Sequence, residues 1–242
     1  MKRDKNNKII SCSQDSEYIE KKYFDFLKDK RIVIVGPAPH ISSSLQGNII
    51  DSYDLVVRIN HGYNIPENLK KHIGRRTDII YDTMLPQKGS GIDMPIEELK
   101  DKVKWICASY PAEKHFQDIL NFKNKVKNKI LFHIVDRKFW EKMVKNMKIP
   151  HSGTVSILDI LEHDVSELFV TGITFYKESH SNIHYYDGYH KESKRLKKRQ
   201  HGKTSKHDPS KQLNYIKEIY KKDDRFSCDN VLKKIFEKQN GL

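Results

Sequence analysis

The chain has 242 residues, 37% apolar and 32% charged, with a formal net charge of +13. That length suits one domain and suffices to bury a core, while no apolar run approaches the roughly 20 residues that span a bilayer. An aromatic content of 10% argues against wholesale disorder.

Residues 1–17 are polar and basic, lack the apolar stretch of a signal peptide, and are expected to be a flexible lead-in to one domain over 18–242. Cys12, Cys107 and Cys228 show neither a CxxC pair nor metal-ligand spacing. They read as reduced thiols of a soluble cytoplasmic protein, of a host or a virus-infected cell. Glu17–Lys30 is expected as a helix, with Tyr18, Tyr23, Phe26 and Leu27 on one face. Ile32–Val35 is a β-branched run fit for a buried strand, broken by Gly36-Pro37-Ala38-Pro39. IIDSYD is a turn or helix end leading into a second strand, Leu55–Ile59, that stops at Asn60. Further strands are expected at Asp78–Tyr81, Val103–Ala108, Ile130–Val135 and Leu168–Thr171, the last ended by Gly172. Helices are expected at Glu67–Ile73, Ile96–Lys102, Ala112–Lys127, Arg137–Lys148, Ser152–Glu162, Gln212–Tyr220 and Asn230–Lys238. Residues 177–210 read as a long loop. Its segment Lys191–Lys206 carries eight Lys/Arg against one Glu, suited to holding an anionic ligand or to peripheral contact with an anionic surface. Strands alternating with helices predict an α/β fold with a mostly parallel central sheet between helical layers.

A strand, a tight loop and a second strand is how nucleotide sites begin in open α/β sheets. The glycine pattern for NAD or FAD is missing, and so are a P-loop, a GxSxG elbow and a DxD pair. PHSGTVSIL, Pro150–Leu158, places small residues at a helix start. They either aim backbone N–H groups and the helix dipole at an anion, or Ser152 or Thr154 simply caps the helix. His184-Tyr185-Tyr186-Asp187 and His207-Asp208 add side chains able to move a proton near neutral pH.

Four segments, in order, resemble the four sialyl motifs of glycosyltransferase family 29, the sialyltransferases. RIVIVGPAPH…IDSYDLVVRIN is similar to the large motif, and Ile149–Leu161 with VSELFVTGITFY to the small one. HYYD resembles the third motif, and His207 with Gln212 the very short motif of a His and a Glu separated by four residues. GRRTDIIYDTM fits the segment after the large motif, and coverage is about residues 31–220. The resemblance implies a GT-A-like, Rossmann-type fold and a metal-independent, inverting transferase. Its donor would be a CMP-activated sugar acid, its acceptor a glycan hydroxyl, and it would need no cofactor. A CMP leaving group carries one phosphate, so protein hydrogen-bond donors can replace a metal. By the resemblance His207 is the general base and His184 the donor to the departing phosphate. Gly36, Ala38, Asn60, Ser152, Gly153, Thr154, Gly172 and Tyr185 line the donor site, and residues 177–210 form a lid. Arg75 and Arg76 are candidates for a substrate carboxylate or for surface salt bridges.

The chain also departs from the family pattern. Ile32 stands where the large motif usually has Cys, Gly36-Pro37-Ala38-Pro39 where it has Gly-Asn-Ser-Gly, and Gln212 where the very short motif has Glu. Donor choice between sialic acid and a related keto-acid sugar stays open on these residues, as does an inactive transferase-like fold. A nucleic-acid-binding role for the basic loop is disfavoured, because no aromatic side chain interleaves its charges.

Overall fold

The computed structural model of the chain describes residues 17–85, 93–177 and 206–238. Its strands are β1 (Arg31–Val35), β2 (Leu55–Ile59), β3 (Ile79–Asp82), β4 (Trp105–Ala108), β5 (Leu131–Ile134), β6 (Glu167–Thr171) and β7 (Phe226–Cys228). They form one seven-stranded sheet in the order β5-β4-β3-β2-β1-β6-β7. Every pairing is parallel. The helices among the described residues are α1 (17–27), α2 (Gly47–Asp51), α3 (Lys70–Ile73), α4 (Ile96–Leu99), α5 (Phe116–Val126), α6 (Arg137–Met147), α7 (Ser152–Leu161), α8 (Pro209–Tyr220) and α9 (Asn230–Lys238).

Parallel strands need helical crossovers, so both faces of such a sheet are covered and its strands become apolar throughout. On one face Ile32, Ile34, Val57, Tyr81, Trp105 and Val170 meet α1, α6, α7, α8 and α9. On the other, Ile80, Ile106 and Phe132 meet α4 and α5, while Val33, Val35 and Val56 meet α2 and α3. The result is the three-layer α/β sandwich with a parallel sheet that the alternation of elements predicts.

Several boundaries differ from expectation. Phe226–Cys228 forms an edge strand beside β6; three residues are too few to show an alternating pattern. The helix expected from Gln212 starts at Pro209, with Asp208 accepting from the Lys211 N–H as N-cap. An Asp followed by Pro is a helix start, so the loop expected over 177–210 ends before this point. Finally, Ala112–Lys127 opens with a 3-10 turn, Glu113–His115, before α5 proper.

Numbering runs outward from β1 in both directions, toward β5 on one side and through β6 on the other. β1 and β6 therefore flank the topological switch point, where ligands bind beyond the carboxyl ends of the strands.

Candidate active site

The backbone at the switch point is tightly drawn. Gly36, after β1, and Gly172, after β6, lie backbone to backbone, so a Cβ on either would strike the other residue. Gly172 also has φ +71°, a conformation that favours glycine. The Gly36 N–H donates to Thr171 O at 2.7 Å and the Ala38 N–H to Gly172 O at 2.9 Å. Gly36 and Ala38, expected at the donor, thus spend their N–H groups joining the two loops. Asp229, after β7, closes the same corner: its Oδ2 accepts from the Gly172 N–H, the Thr171 hydroxyl and His40 Nε2. Burial would raise the Asp229 carboxyl, but the donors of His40, Leu232, Gly172 and Thr171 hold it below its ordinary value.

Helix α7 enters above this corner. His151 is its N-cap residue, and no side chain caps it, so neither Ser152 nor Thr154 takes the capping role. The Ser152 hydroxyl pairs instead with Ser109, at the end of β4, at 2.9 Å. The Thr154 hydroxyl donates to Gln212 Oε1 at 2.7 Å. A Cβ on Gly153 would sit 3.0 Å from Ile173 Cδ1. The helix start therefore spans the carboxyl edge from β4 to β6, and its uncapped first turn carries the positive end of the helix dipole.

Asn60 lies at the carboxyl end of β2 with φ +50°. Its Oδ1 is buried and has no hydrogen-bond partner among the described residues. A buried polar atom of this kind normally finds a partner, so Asn60 is the described side chain that most plainly asks for a ligand.

Gln212 is fully buried and ties α8 to the start of α7. Its Oε1 accepts from the His151 N–H at 3.0 Å and from His151 Nδ1 at 2.9 Å, besides Thr154. Its Nε2 donates to Ile149 O at 3.2 Å. His207 Nδ1 donates to the same carbonyl at 2.8 Å, and Lys148 and His207 form an antiparallel bridge. A carbonyl oxygen can only accept, so neutral His207 carries its proton on Nδ1 and its lone pair on Nε2, the nitrogen that can take a proton. The His151 and His207 rings stack, centroids 4.4 Å apart and planes 18° from parallel. Tyr176 packs edge-on against His151; Phe175 and Tyr176 both have positive φ, +50° and +59°. Two adjacent aromatic residues in that region are strained, and the strain is spent holding Tyr176 against the imidazole.

His184 and Tyr185 lie outside the described residues. Arg75 and Arg76 stand at the opposite, amino edge of the sheet. The Arg76 guanidinium donates to the carbonyls of Asp51, Tyr53 and Asp54 and to Asp78 Oδ2. It is committed to the fold rather than held ready for a substrate. The N–H groups of Arg75 and Arg76 bind the Asp51 carboxylate. Sequence reasoning missed His151, whose place directly before the small residues of α7 was the available clue, and His40 with Asp229, which are 189 residues apart. Among the described residues no group of three or more His, Cys, Asp or Glu is arranged to hold a metal ion, and no helix is long and apolar enough to cross a membrane.

No family model and no curated protein matches the chain. Among solved structures it is similar to a mammalian sialyltransferase in complex with Gal-beta-1-3GalNAc-ortho-nitrophenol. The TM-score is 0.55 and the identity 16%, over 85% of this chain and 71% of that one. The fold is shared with a mammalian sialyltransferase. A second crystal structure of a mammalian sialyltransferase gives a TM-score of 0.53 at 17% identity, over 83% and 69% of the two chains. At such identities the likeness establishes the GT-A-like fold. It also agrees with the resemblance to the sialyltransferase family read from the sequence.

Proposed function

We propose that the protein is a CMP-sugar-dependent glycosyltransferase that moves a sugar acid to a glycan hydroxyl with inversion and without a metal. The observation that carries this reading is convergence at the switch point. Asn60 with its unpartnered buried Oδ1, the uncapped start of α7, and His207 with its proton fixed on Nδ1 all gather at the carboxyl edge of one sheet. In this reading Asn60 contacts the nucleotide, and the first-turn N–H groups of Ser152, Gly153 and Thr154 receive the single phosphate. His207 Nε2 takes the acceptor hydroxyl's proton as the C–O bond to CMP breaks and the new glycosidic bond forms on the opposite face. His184 hydrogen-bonds the departing phosphate, and Tyr185 lines the pocket. The likeness to an enzyme crystallised with a galactose-containing disaccharide supports a glycan acceptor.

The test is binding of CMP against UDP and GDP by thermal shift, followed by turnover of a CMP-linked sugar acid. His207→Ala should abolish transfer, by at least a hundredfold, while leaving CMP affinity within a few fold. Equal indifference to all three nucleotides would sink the proposal. An inactive transferase-like fold has one observation in its favour: the Ile173 side chain fills the space beside both Gly36 and Gly153. Under that second reading Ile173→Ala would uncover CMP binding that the wild type lacks.

A further inference from the structure

We propose that His151 is a positioning residue for His207, and that the two stacked imidazoles titrate as a coupled pair that resists holding two protons. The inference rests on the reading of His207 as the base only for its catalytic meaning; the coupling stands on geometry. The rings lie 4.4 Å apart and 18° from parallel. Each has its Nδ1–H committed to an acceptor of the same small network, His151 to Gln212 Oε1 and His207 to Ile149 O. Gln212 holds both acceptors in place, since its own Nε2 donates to Ile149 O. Both neutral rings therefore share one tautomer, with Nε2 as the proton-accepting nitrogen of each.

A proton on one ring then faces a second positive charge at stacking distance. Two unit charges this close disfavour one another by about fivefold in proton affinity with the screening of bulk water, and by roughly tenfold or more with the weaker screening of a protein surface. The amide oxygen of Gln212 brings no charge to offset this, whereas a carboxylate at that position would. Among the described residues, the titratable groups on the segments packed against the pair are Tyr176, edge-on to His151, then Lys148, the bridge partner of His207, and Lys206 and Asp208, its chain neighbours. The Asp208 carboxylate is engaged as the cap of α8. The consequence for catalysis is a base whose proton affinity is lowered whenever its partner ring carries a proton.

The experiment follows the imidazole Cε1–H resonances of the full chain by NMR from about pH 5 to about pH 9, in wild type, His151→Asn and His207→Asn. Asn at 151 keeps an uncharged donor toward Gln212 and suits an N-cap. The wild-type pair should titrate in two steps. His151→Asn should reduce His207 to a single step, with its midpoint raised by about one pH unit relative to the lower wild-type step. Linkage requires His207→Asn to do the same to His151 by the same amount. Two independent single-site curves in the wild type, unaltered in either variant, would overturn the proposal without recourse to any mutant's activity. Should Asn at 151 unfold the chain, His151→Phe keeps an uncharged stacked ring and should give the same single step at His207. With a CMP-sugar, the acid limb of kcat/KM should be broad in wild type and narrow to one proton in His151→Asn. Absence of turnover would refute the transferase reading while leaving the NMR result to decide the coupling.

Discussion

The two edges of the sheet are built on opposite principles. At the amino edge the carboxylates of the large-motif segment are bonded within the chain. Asp54 accepts the Arg31 N–H at the start of β1, Asp78 accepts the Val56 N–H and Arg76, and Asp51 accepts the N–H groups of Arg75 and Arg76. Fully buried Arg58 reaches to this edge from within β2, donating to the carbonyls of Ile73 and Arg76. At the carboxyl edge, by contrast, Asn60 Oδ1 is buried without a partner among the described residues and α7 starts uncapped. One edge ties its carboxylates into the fold; the other keeps an open amide oxygen and an uncapped helix start. Strong sequence motifs therefore do not mark the site by themselves: of IDSYDLVVRIN, only its last residue reaches the open edge.

The sharpest way to break this division is at its most buried point. Arg58→Ala would orphan the Ile73 and Arg76 carbonyls and should destabilise the fold by about 3 kcal/mol, read by denaturant unfolding. CMP affinity of the remaining folded protein should not change; a selective loss of CMP binding instead would place substrate chemistry at the amino edge. Gln212, like Asp229, is a hydrogen-bonded knot on the site side. Gln212→Ala leaves the His151 N–H and the Thr154 hydroxyl without their acceptor and should cost about 2–3 kcal/mol. Unlike Arg58→Ala, it should also lower turnover in the population that stays folded, because His151 loses its anchor beside His207.

The same contrast explains what was legible in the chain. Ile32–Val35, Leu55–Ile59 and Leu168–Thr171 announce themselves because buried parallel strands must be apolar on both faces, so strand number and alternation were readable almost to the edge. Phe226–Cys228 was not, since its place is set by pairing with β6 and by Asp229, whose partners are His40, Thr171 and Gly172. Asn60, Ser152 to Thr154 and His207 could be picked out as residue types at a strand end, a helix start and a motif. That Gly36 and Ala38 would spend their N–H groups on β6, or that His151 would stack on His207, depends on contacts between segments tens of residues apart, which no local pattern encodes.

A third expectation concerns how α7 is held. Its Asp159 accepts from the Tyr81 hydroxyl at 2.6 Å and from His133 Nε2 at 3.2 Å, and Tyr81 pairs in turn with Tyr23. Burial would lower the His133 imidazole, but the Asp159 carboxylate, with Glu20 behind it, carries it up to about 9. Burial would raise Asp159, but protonated His133 brings it below the ordinary value. A raised His contributes stability that is complete below about pH 6.5 and lost as pH climbs toward 9; a lowered Asp contributes stability present above about pH 3.8 and lost below it. The contribution of this pair should therefore be level between about pH 4 and 6.5, with a decline on the order of 3 kcal/mol by pH 9. His133→Gln, which keeps a donor toward Asp159 and cannot titrate, should flatten the alkaline side. An unchanged alkaline decline in that variant would assign it to another group.

The smallest effect on the fold should come from Asn60, and it discriminates best. A residue whose amide oxygen is already unpartnered among the described residues loses no bond there when the amide is removed, so Asn60→Ala should cost stability only through the backbone. Replacing a positive-φ Asn by Ala costs a few tenths of a kcal/mol to about 1 kcal/mol of backbone preference, which Asn60→Gly would recover. If the carboxyl edge holds its hydrogen-bonding capacity for a nucleotide, both variants should weaken CMP about tenfold, close to 1.4 kcal/mol of lost contact. Gly and Ala then agree on affinity and differ on stability. If instead affinity follows stability across the two variants, Asn60 acts through the backbone of β2, and its open Oδ1 marks strain rather than a waiting ligand.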